Sequence, residues 1–131
     1  MAAELTRRGY VATLTLRNTR GIDILASNLD ATKSVGIQVK TSQGTKPTWL
    51  VSKKAETDVA ENLFYVFVCL ATPATFYVVP RQVVAKYVRE SHAEWLETPG
   101  KRGQAHRDTN MRVFTDPDHE YKDRWDLLGL G

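Results

Sequence analysis

The segment that most constrains the fold is residues 63–70, Leu-Phe-Tyr-Val-Phe-Val-Cys-Leu, which is almost wholly apolar. An apolar run of this length predicts a β-strand that is buried on both faces of a sheet. Residues 71–74 predict a turn, residues 75–79 predict the next strand, and Pro80 ends that strand and suits the first turn of a helix. The centre of the fold is therefore expected to be a sheet that is covered on both sides.

Other segments predict the remaining elements of this sheet and its helices. Residues 2–8 indicate a helix that ends at Gly9, and apolar residues near 3.6 spacing predict a second helix over residues 82–96. Alternating side chains predict three strands joined by short connections into an antiparallel meander, at residues 10–17, 22–26 and 35–41. The other segments are residues 49–51 (a short strand or an anchor under the sheet), residues 53–62 (a short helix or a polar loop), residues 98–110 (a polar loop that could be mobile), residues 111–114 (a last short strand) and residues 121–128 (a short helix). This order predicts one domain over residues 1–131, with an α/β (α+β) fold in which a mixed central β-sheet is flanked by helices.

Composition narrows the setting in which the chain works. The one cysteine, Cys69, cannot form a disulfide within the chain, which favours a reducing compartment such as the cytoplasm. No run approaches the roughly 20 apolar residues of a membrane span, and the start lacks the apolar core of a signal peptide. Residues 1–60 hold nine Lys or Arg against five Asp or Glu, whereas residues 61–131 hold nine against ten. The basic half would favour a polyanionic partner, although an ordinary solvated surface explains the same imbalance.

Charged residues interrupt two of the predicted strands, where apolar residues would be expected. Asp23 lies near the start of the strand at 22–26, and Lys40 lies near the end of the strand at 35–41. Because side chains alternate along a strand, Gln38 and Lys40 share one face, and antiparallel pairing of the two strands can bring Asp23 to that face. The alternatives are that Asp23 caps backbone amides after Gly21 and that Lys40 extends to water, with or without a surface ion pair between them.

At these residues the chain resembles the PD-(D/E)xK nuclease superfamily, whose fold is called restriction-endonuclease-like. The resemblance lies in residues 21–23 (Gly-Ile-Asp) and, after a gap of fourteen residues, residues 38–40 (Gln-Val-Lys). Residues 8–10 and 37–42 are similar to small archaeal Holliday-junction resolvases and to uncharacterised bacterial nuclease-like proteins. The resemblance covers residues 5–42, about a third of the chain.

The resemblance implies a metal-dependent hydrolase that cleaves DNA phosphodiesters. Asp23, the amide oxygen of Gln38 and the carbonyl of Val39 would bind Mg²⁺ or Mn²⁺, and Lys40 would orient the attacking water and balance phosphate charge. Gln38 stands where the family usually carries Glu or Asp, so we expect weak metal affinity without DNA. Relatives often carry a Glu on the first helix; Glu4 is the residue available here, and a solvated helix residue is its simpler interpretation.

Partner contacts and alternative functions follow from the same interpretation. The basic residues expected to contact DNA flank the proposed site and are Arg17, Arg20, Lys33, Lys46, Lys53 and Lys54. A homodimer is a further expectation, with exposed aromatic residues of the last helix at its interface. The alternative function is a catalytically inactive nuclease-fold protein that binds nucleic acid or a protein partner, and a third is a purely structural subunit. The histidines lack the spacing of a zinc site, and the tryptophans are expected to be anchors of the core or its edge.

Overall fold

The centre of the fold is a five-stranded mixed sheet, seen in a computed structural model that describes residues 1–15, 22–57, 61–100 and 103–131. Its strands are β1 (Val11–Leu14), β2 (Ile24–Ser27), β3 (Ser34–Ser42), β5 (Leu63–Cys69) and β6 (Thr75–Pro80), in the order β1-β2-β3-β5-β6. The remaining elements are α1 (Ala2–Arg7), β4 (Thr48–Ser52), α2 (Arg81–Glu97), β7 (Met111–Thr115) and two short 3-10 helices, Lys53–Glu56 and Trp125–Leu128. The predicted mixed sheet flanked by helices is confirmed.

The strand order follows the pattern that the sequence predicted. β1, β2 and β3 form the antiparallel meander, with Ile24 opposite Ile37. β3 then pairs with β5 in parallel, and β5 pairs with β6 in antiparallel orientation. Phe64 through Cys69 in β5 are all buried, as expected for a strand that is covered on both faces.

Each face of the large sheet carries its own hydrophobic cluster. On one side, which we call the α1 face, Ile37 and Val66 pack with Leu5 of α1 and with Trp125. The other side is the α2 face, whose cluster consists mainly of aromatic and branched residues from the sheet, α2 and the strands β4 and β7, namely Trp49, Val51, Tyr65, Phe67, Tyr77, Val79, Val84, Val88 and Phe114. The side chains of β5 alternate between these two clusters, because successive strand residues point to opposite faces.

A second, two-stranded sheet covers part of the α2 face. Trp49 of β4 lies opposite Phe114 of β7, and both side chains are buried against the large sheet. Residues 49–51 are therefore a strand, and the segment that follows begins with a short helix, which resolves two alternatives that the sequence left open. Residues 103–110 contain no helix or strand, in agreement with the polar loop predicted there.

Two predicted elements were wrong in their extent. β2 begins at Ile24, so Asp23 directly precedes the strand. The predicted helix over residues 121–128 is reduced to Trp125–Leu128, because the backbone before it is bonded to the edge of β6. The N–H of Val78 donates to the carbonyl of Tyr121, and the N–H of Asp123 donates to the carbonyl of Phe76.

Within the described residues, no helix has the length and apolar character that crossing a membrane requires.

Candidate active site at the ends of β2 and β3

The backbone around Asp23 is held by both neighbouring strands. The N–H of Asp23 donates to the carbonyl of Ile37 at 2.8 Å, and the carbonyl of Asp23 accepts from the N–H of Thr15 at 3.0 Å. The Thr15 hydroxyl also donates to the carbonyl of Ile22 at 2.5 Å. The ladder of hydrogen bonds thus continues past the start of β2, and it fixes the residue that carries the carboxylate.

The carboxylate of Asp23 is bonded to the backbone of β3. Its Oδ2 accepts a hydrogen bond from the N–H of Val39 at 2.7 Å. Since the N–H and C=O of one strand residue point toward the same neighbouring strand, the Val39 carbonyl is also directed to the side on which Asp23 lies. Asp23 and the Val39 carbonyl, which the sequence predicted as metal ligands, therefore lie on the same side of β3.

Gln38 and Lys40 lie on the α2 face of β3, as the alternation predicted. In the parallel pairing of β3 with β5, Gln38 lies opposite Tyr65 and Lys40 lies opposite Phe67, and both aromatic rings belong to the α2-face cluster. The pairing of β2 with β3 ends at Ile24 opposite Ile37, and the N–H of Asp23 donates to the carbonyl of that same Ile37, so the register shifts by one residue just before β2. Asp23 joins this part of β3 through its carboxylate, which is bonded to the backbone of Val39, the residue between Gln38 and Lys40. Gln38 and Lys40 are partly exposed, so this face is open to water beside the cluster.

Arg81 is a site residue that the sequence reasoning missed. It is the first residue of α2, its side chain is buried, and its Nη2 donates to Oε1 of Gln38 at 2.9 Å. Its guanidinium carbon lies 4.8 Å from the centre of the Tyr65 ring. Burial lowers the pKa of Arg81, and the negative charge of Asp23 opposes that shift. A signal was present in the sequence, because a cation in the first turn of a helix is disfavoured by the helix dipole and therefore suggests another role.

Glu4, the acid expected on the first helix, is bonded to two neighbouring arginines. Its carboxylate pairs with Arg7 at 2.6 Å and with Arg8 at 2.8 Å, and the hydrogen bond from Arg7 is the main reason that its pKa is lowered. The neighbouring Leu5 packs into the α1-face cluster. Among the described residues, no group of three or more acidic, histidine or cysteine side chains is arranged to hold a metal ion.

The basic residues proposed to contact DNA occupy different places. Arg17 and Arg20 lie outside the described residues. Lys33 is exposed at the tip of the β2–β3 hairpin, five residues from Gln38 and thus roughly 16 Å away along an extended strand. Lys46 is exposed in the loop after β3, and Lys53 and Lys54 are exposed after β4. Lys46 thus follows the end of β3 nearer to Lys40, and Lys53 and Lys54 follow the first strand of the two-stranded sheet.

Most of the tryptophans and histidines pack against, or form hydrogen bonds with, other residues of the chain. Trp49 and Trp125 are buried, as predicted for anchors of the core, whereas Trp95 is 41% exposed. Since Trp125 is buried and Tyr121 is half-buried, the exposed aromatic residues expected there for a dimer interface are absent from the last short helix and the turn before it. The histidines have partners of their own: His92 contacts Asp108 at 2.8 Å, His119 contacts the Tyr77 hydroxyl at 2.7 Å, and His106 stacks on Trp95.

Comparison with known proteins supports the fold. No family model matches the chain, and no curated protein matches it. A solved structure with a similar fold is Hjc, a Holliday junction resolvase from the archaeal hyperthermophile Archaeoglobus fulgidus. The alignment covers 99% of this chain and 90% of that chain, with a TM-score of 0.57 and 14% sequence identity. The chain therefore has the restriction-endonuclease-like fold that the resemblance to the PD-(D/E)xK superfamily predicted.

Proposed function

We propose that this chain is a metal-dependent phosphodiester hydrolase, an endonuclease-like enzyme that acts on DNA. The observation that carries the proposal is the Asp23 carboxylate, whose Oδ2 is held 2.7 Å from the backbone nitrogen of Val39, the residue between Gln38 and Lys40 in β3. The neighbour from Archaeoglobus fulgidus is described as a Holliday junction resolvase, and the shared fold supports a DNA substrate for this chain as well.

The residues at this point fit a Mg²⁺ or Mn²⁺ ion that is held by few protein ligands. Asp23 uses one carboxylate oxygen for Val39 N–H, so its second oxygen and the Val39 carbonyl would hold the ion. Mg²⁺ commonly keeps several waters and binds through one or two carboxylates together with substrate phosphates, so this small donor set suffices. When bound, the ion would polarise the scissile phosphate and lower the pKa of a coordinated water.

The side chains of the chain itself have separate roles in the proposed reaction. Asp23 is positioned by its hydrogen bond to Val39, so its carboxylate needs little reorganisation when substrate binds. Lys40, two residues beyond Gln38 on the same face, would orient the attacking water and neutralise charge that builds up on the phosphate. Gln38 would place its side-chain amide beside Lys40, on the same face of β3.

The DNA backbone would follow the basic residues near this end of the sheet. Lys46, Lys53 and Lys54 are exposed, and they are the described lysines that we propose as phosphate contacts. The other proposed contacts carry less of the argument, and they are Arg17, Arg20 and Lys33. The first two lie outside the described residues, and Lys33 lies at the tip of the β2–β3 hairpin. A homodimer would present two such sites to the two strands of a DNA substrate. We also propose a cytoplasmic location, because a reducing compartment keeps the buried Cys69 as a free thiol.

A second candidate function rests on a specific observation. The amide oxygen of Gln38 already accepts a hydrogen bond from Arg81, so the residue that replaces the usual acid is engaged with a cation. An inactive nuclease-fold protein that binds nucleic acid would show this arrangement too. Such a protein would bind DNA in a salt-dependent manner, and its binding would survive the loss of Asp23.

Cleavage assays on a panel of substrates separate the two functions. The purified chain is incubated with single-stranded, duplex and four-way-junction DNA and with RNA, in Mg²⁺, Mn²⁺ or EDTA. We expect metal-dependent cleavage of at least one DNA substrate, and we expect Asp23→Asn and Lys40→Met each to reduce its rate by at least about 100-fold. Asn in place of Asp23 keeps an oxygen for the Val39 N–H, so both variants should remain folded.

Two matched variants serve as controls in the same assay. Asp30→Asn removes an exposed carboxylate from the β2–β3 turn, and Lys122→Met removes an exposed lysine beside β6. Both should cleave at nearly the wild-type rate. Cleavage that persists in Asp23→Asn would overturn the assignment of the site to Asp23. DNA binding without any metal-dependent cleavage by the wild type would exclude the enzyme and leave the binding function.

A further inference from the structure

The contact between Arg81 and Gln38 fixes the orientation of the Gln38 amide. A guanidinium carries only donors, so the atom that faces Arg81 must be the amide oxygen, Oε1, at 2.9 Å from Nη2. The amide nitrogen, Nε2, is then the group left to point elsewhere, and it is a donor. A donor cannot bind a cation, but it can bind a phosphate oxygen.

Arg81 is held in place firmly enough to impose this orientation. It is 2% exposed, it starts α2 directly after Pro80, and its guanidinium lies against the ring of Tyr65, which is itself opposite Gln38 in the sheet. An arginine keeps its charge in proteins, and a buried charge without good acceptors is costly. The Gln38 oxygen is therefore an acceptor that Arg81 uses, and moving it toward a metal ion would weaken that contact.

We propose that Arg81 is a positioning residue that withdraws residue 38 from metal binding, so that a divalent ion is held by Asp23 and the Val39 carbonyl and depends on the substrate phosphate for its remaining ligands. This inference rests on the proposed function, because it assumes the ion beside Asp23. It also predicts that a carboxylate at position 38 would pair with Arg81 and would be neutralised there. The usual acid would restore strong metal binding only after the arginine is removed.

A double-mutant cycle on metal affinity tests this coupling without any measurement of cleavage. Mn²⁺ binding is measured by calorimetry and by the electron paramagnetic resonance of free Mn²⁺, for the wild type, Gln38→Glu, Arg81→Gln and the double variant. We expect weak binding by the wild type and a change below about threefold for Gln38→Glu alone. The double variant should bind at least about tenfold more tightly than the wild type, a size typical of residues that act on metal ligands indirectly.

Further variants keep the test informative if the arginine matters for folding. Circular dichroism and thermal unfolding establish that each variant is folded, and Arg81→Met serves as the second neutral replacement. Arg81→Lys keeps the positive charge, so its double variant with Gln38→Glu should behave like Gln38→Glu alone. Adding Asp23→Asn to the tight-binding double variant should abolish the gain, because the ion is assigned to Asp23.

The outcomes separate this inference from the proposed function. Equal gains in Mn²⁺ affinity for Gln38→Glu with and without Arg81 would overturn the inference, even if the wild type cleaves DNA. The absence of any gain in the double variant would overturn it as well. Conversely, the predicted cycle in a protein that cleaves no DNA would leave the inference standing and would reject the enzyme.

Discussion

The ring of Tyr65 links the core of the sheet to the candidate site. It lies opposite Gln38, it is stacked on Phe67 with ring centroids 5.2 Å apart, and Arg81 covers it on the side of the site. Burial raises the pKa of the Tyr65 hydroxyl to about 12. The folded protein therefore favours the neutral phenol, which has a direct consequence for stability at alkaline pH.

Replacing Tyr65 by Phe should make the protein less sensitive to alkaline pH. In the unfolded chain the hydroxyl ionises near the ordinary tyrosine pKa of 10.0, whereas in the folded protein its pKa is about 12. The stability that the neutral phenol contributes is thus fully present below pH 10 and is lost as the pH rises toward 12. Urea unfolding at several pH values should show that Tyr65→Phe loses less free energy of unfolding than the wild type across this window. Parallel losses in both proteins would contradict the assignment.

Single residues also show how far sequence reasoning reaches toward the site. The common face of Gln38 and Lys40 was predictable because it depends on alternation within one strand, and the closeness of Asp23 to β3 was predictable because β2 and β3 are neighbours in sequence. Arg81 was not found, since it meets Gln38 only through the pairing of β3 with β5 and of β5 with β6, 43 residues further along the chain. The replacement of the family's usual acid by Gln38 was visible in the sequence, whereas the contact between Gln38 and Arg81 was not.

At the scale of elements, the segment that ends the chain acts as a cover for the α1 face. Trp125, on the second 3-10 helix, is 4% exposed; its ring lies 5.7 Å from that of Phe76, and the guanidinium of Arg8 lies 4.7 Å from its centre. The turn before it is bonded to β6 through the backbone of Tyr121 and Asp123. This arrangement protects the edge of β6 as well as the cluster beneath Trp125.

Removal of the Trp125 ring should destabilise the protein strongly. Trp125→Ala empties a buried position, and changes of this kind typically cost about 3–5 kcal/mol of unfolding free energy. Trp95→Ala is the matched control, because Trp95 is 41% exposed near the end of α2 and should cost about 1 kcal/mol or less. Chemical denaturation followed by circular dichroism measures both. Similar losses for the two variants would mean that the terminal segment does not cover the core.

The elements differ in how well the sequence could predict them. The meander, the buried strand β5 and the helix α2 were predictable, because each has a strong local pattern over its whole length. The pairing of β4 with β7 was not, since it joins residues 48–52 to residues 111–115 and neither strand alone reveals its partner. The terminal helix was overestimated because its apolar spacing suits a helix, while its backbone is bonded to β6 instead.

For the whole molecule, the arrangement of two clusters around one sheet determines where chemistry can occur. β5 is buried on both faces, whereas Gln38 and Lys40 of the neighbouring strand β3 are partly exposed beside the α2-face cluster. The candidate site lies there, and Arg81 reaches it from the start of α2. The fold was predictable from the family resemblance at residues 5–42, and it is shared with a resolvase of 14% identity.

Diffraction from crystals grown with Mn²⁺ and a short DNA duplex or junction tests the central claim most directly. Anomalous scattering should reveal an ion about 2.1 Å from a carboxylate oxygen of Asp23 and from the carbonyl of Val39, with a phosphate oxygen as a further ligand. Crystals of Asp23→Asn grown in the same way should lack this peak. Bound DNA with no ion beside Asp23, or with the ion at another place on the protein, would contradict the account.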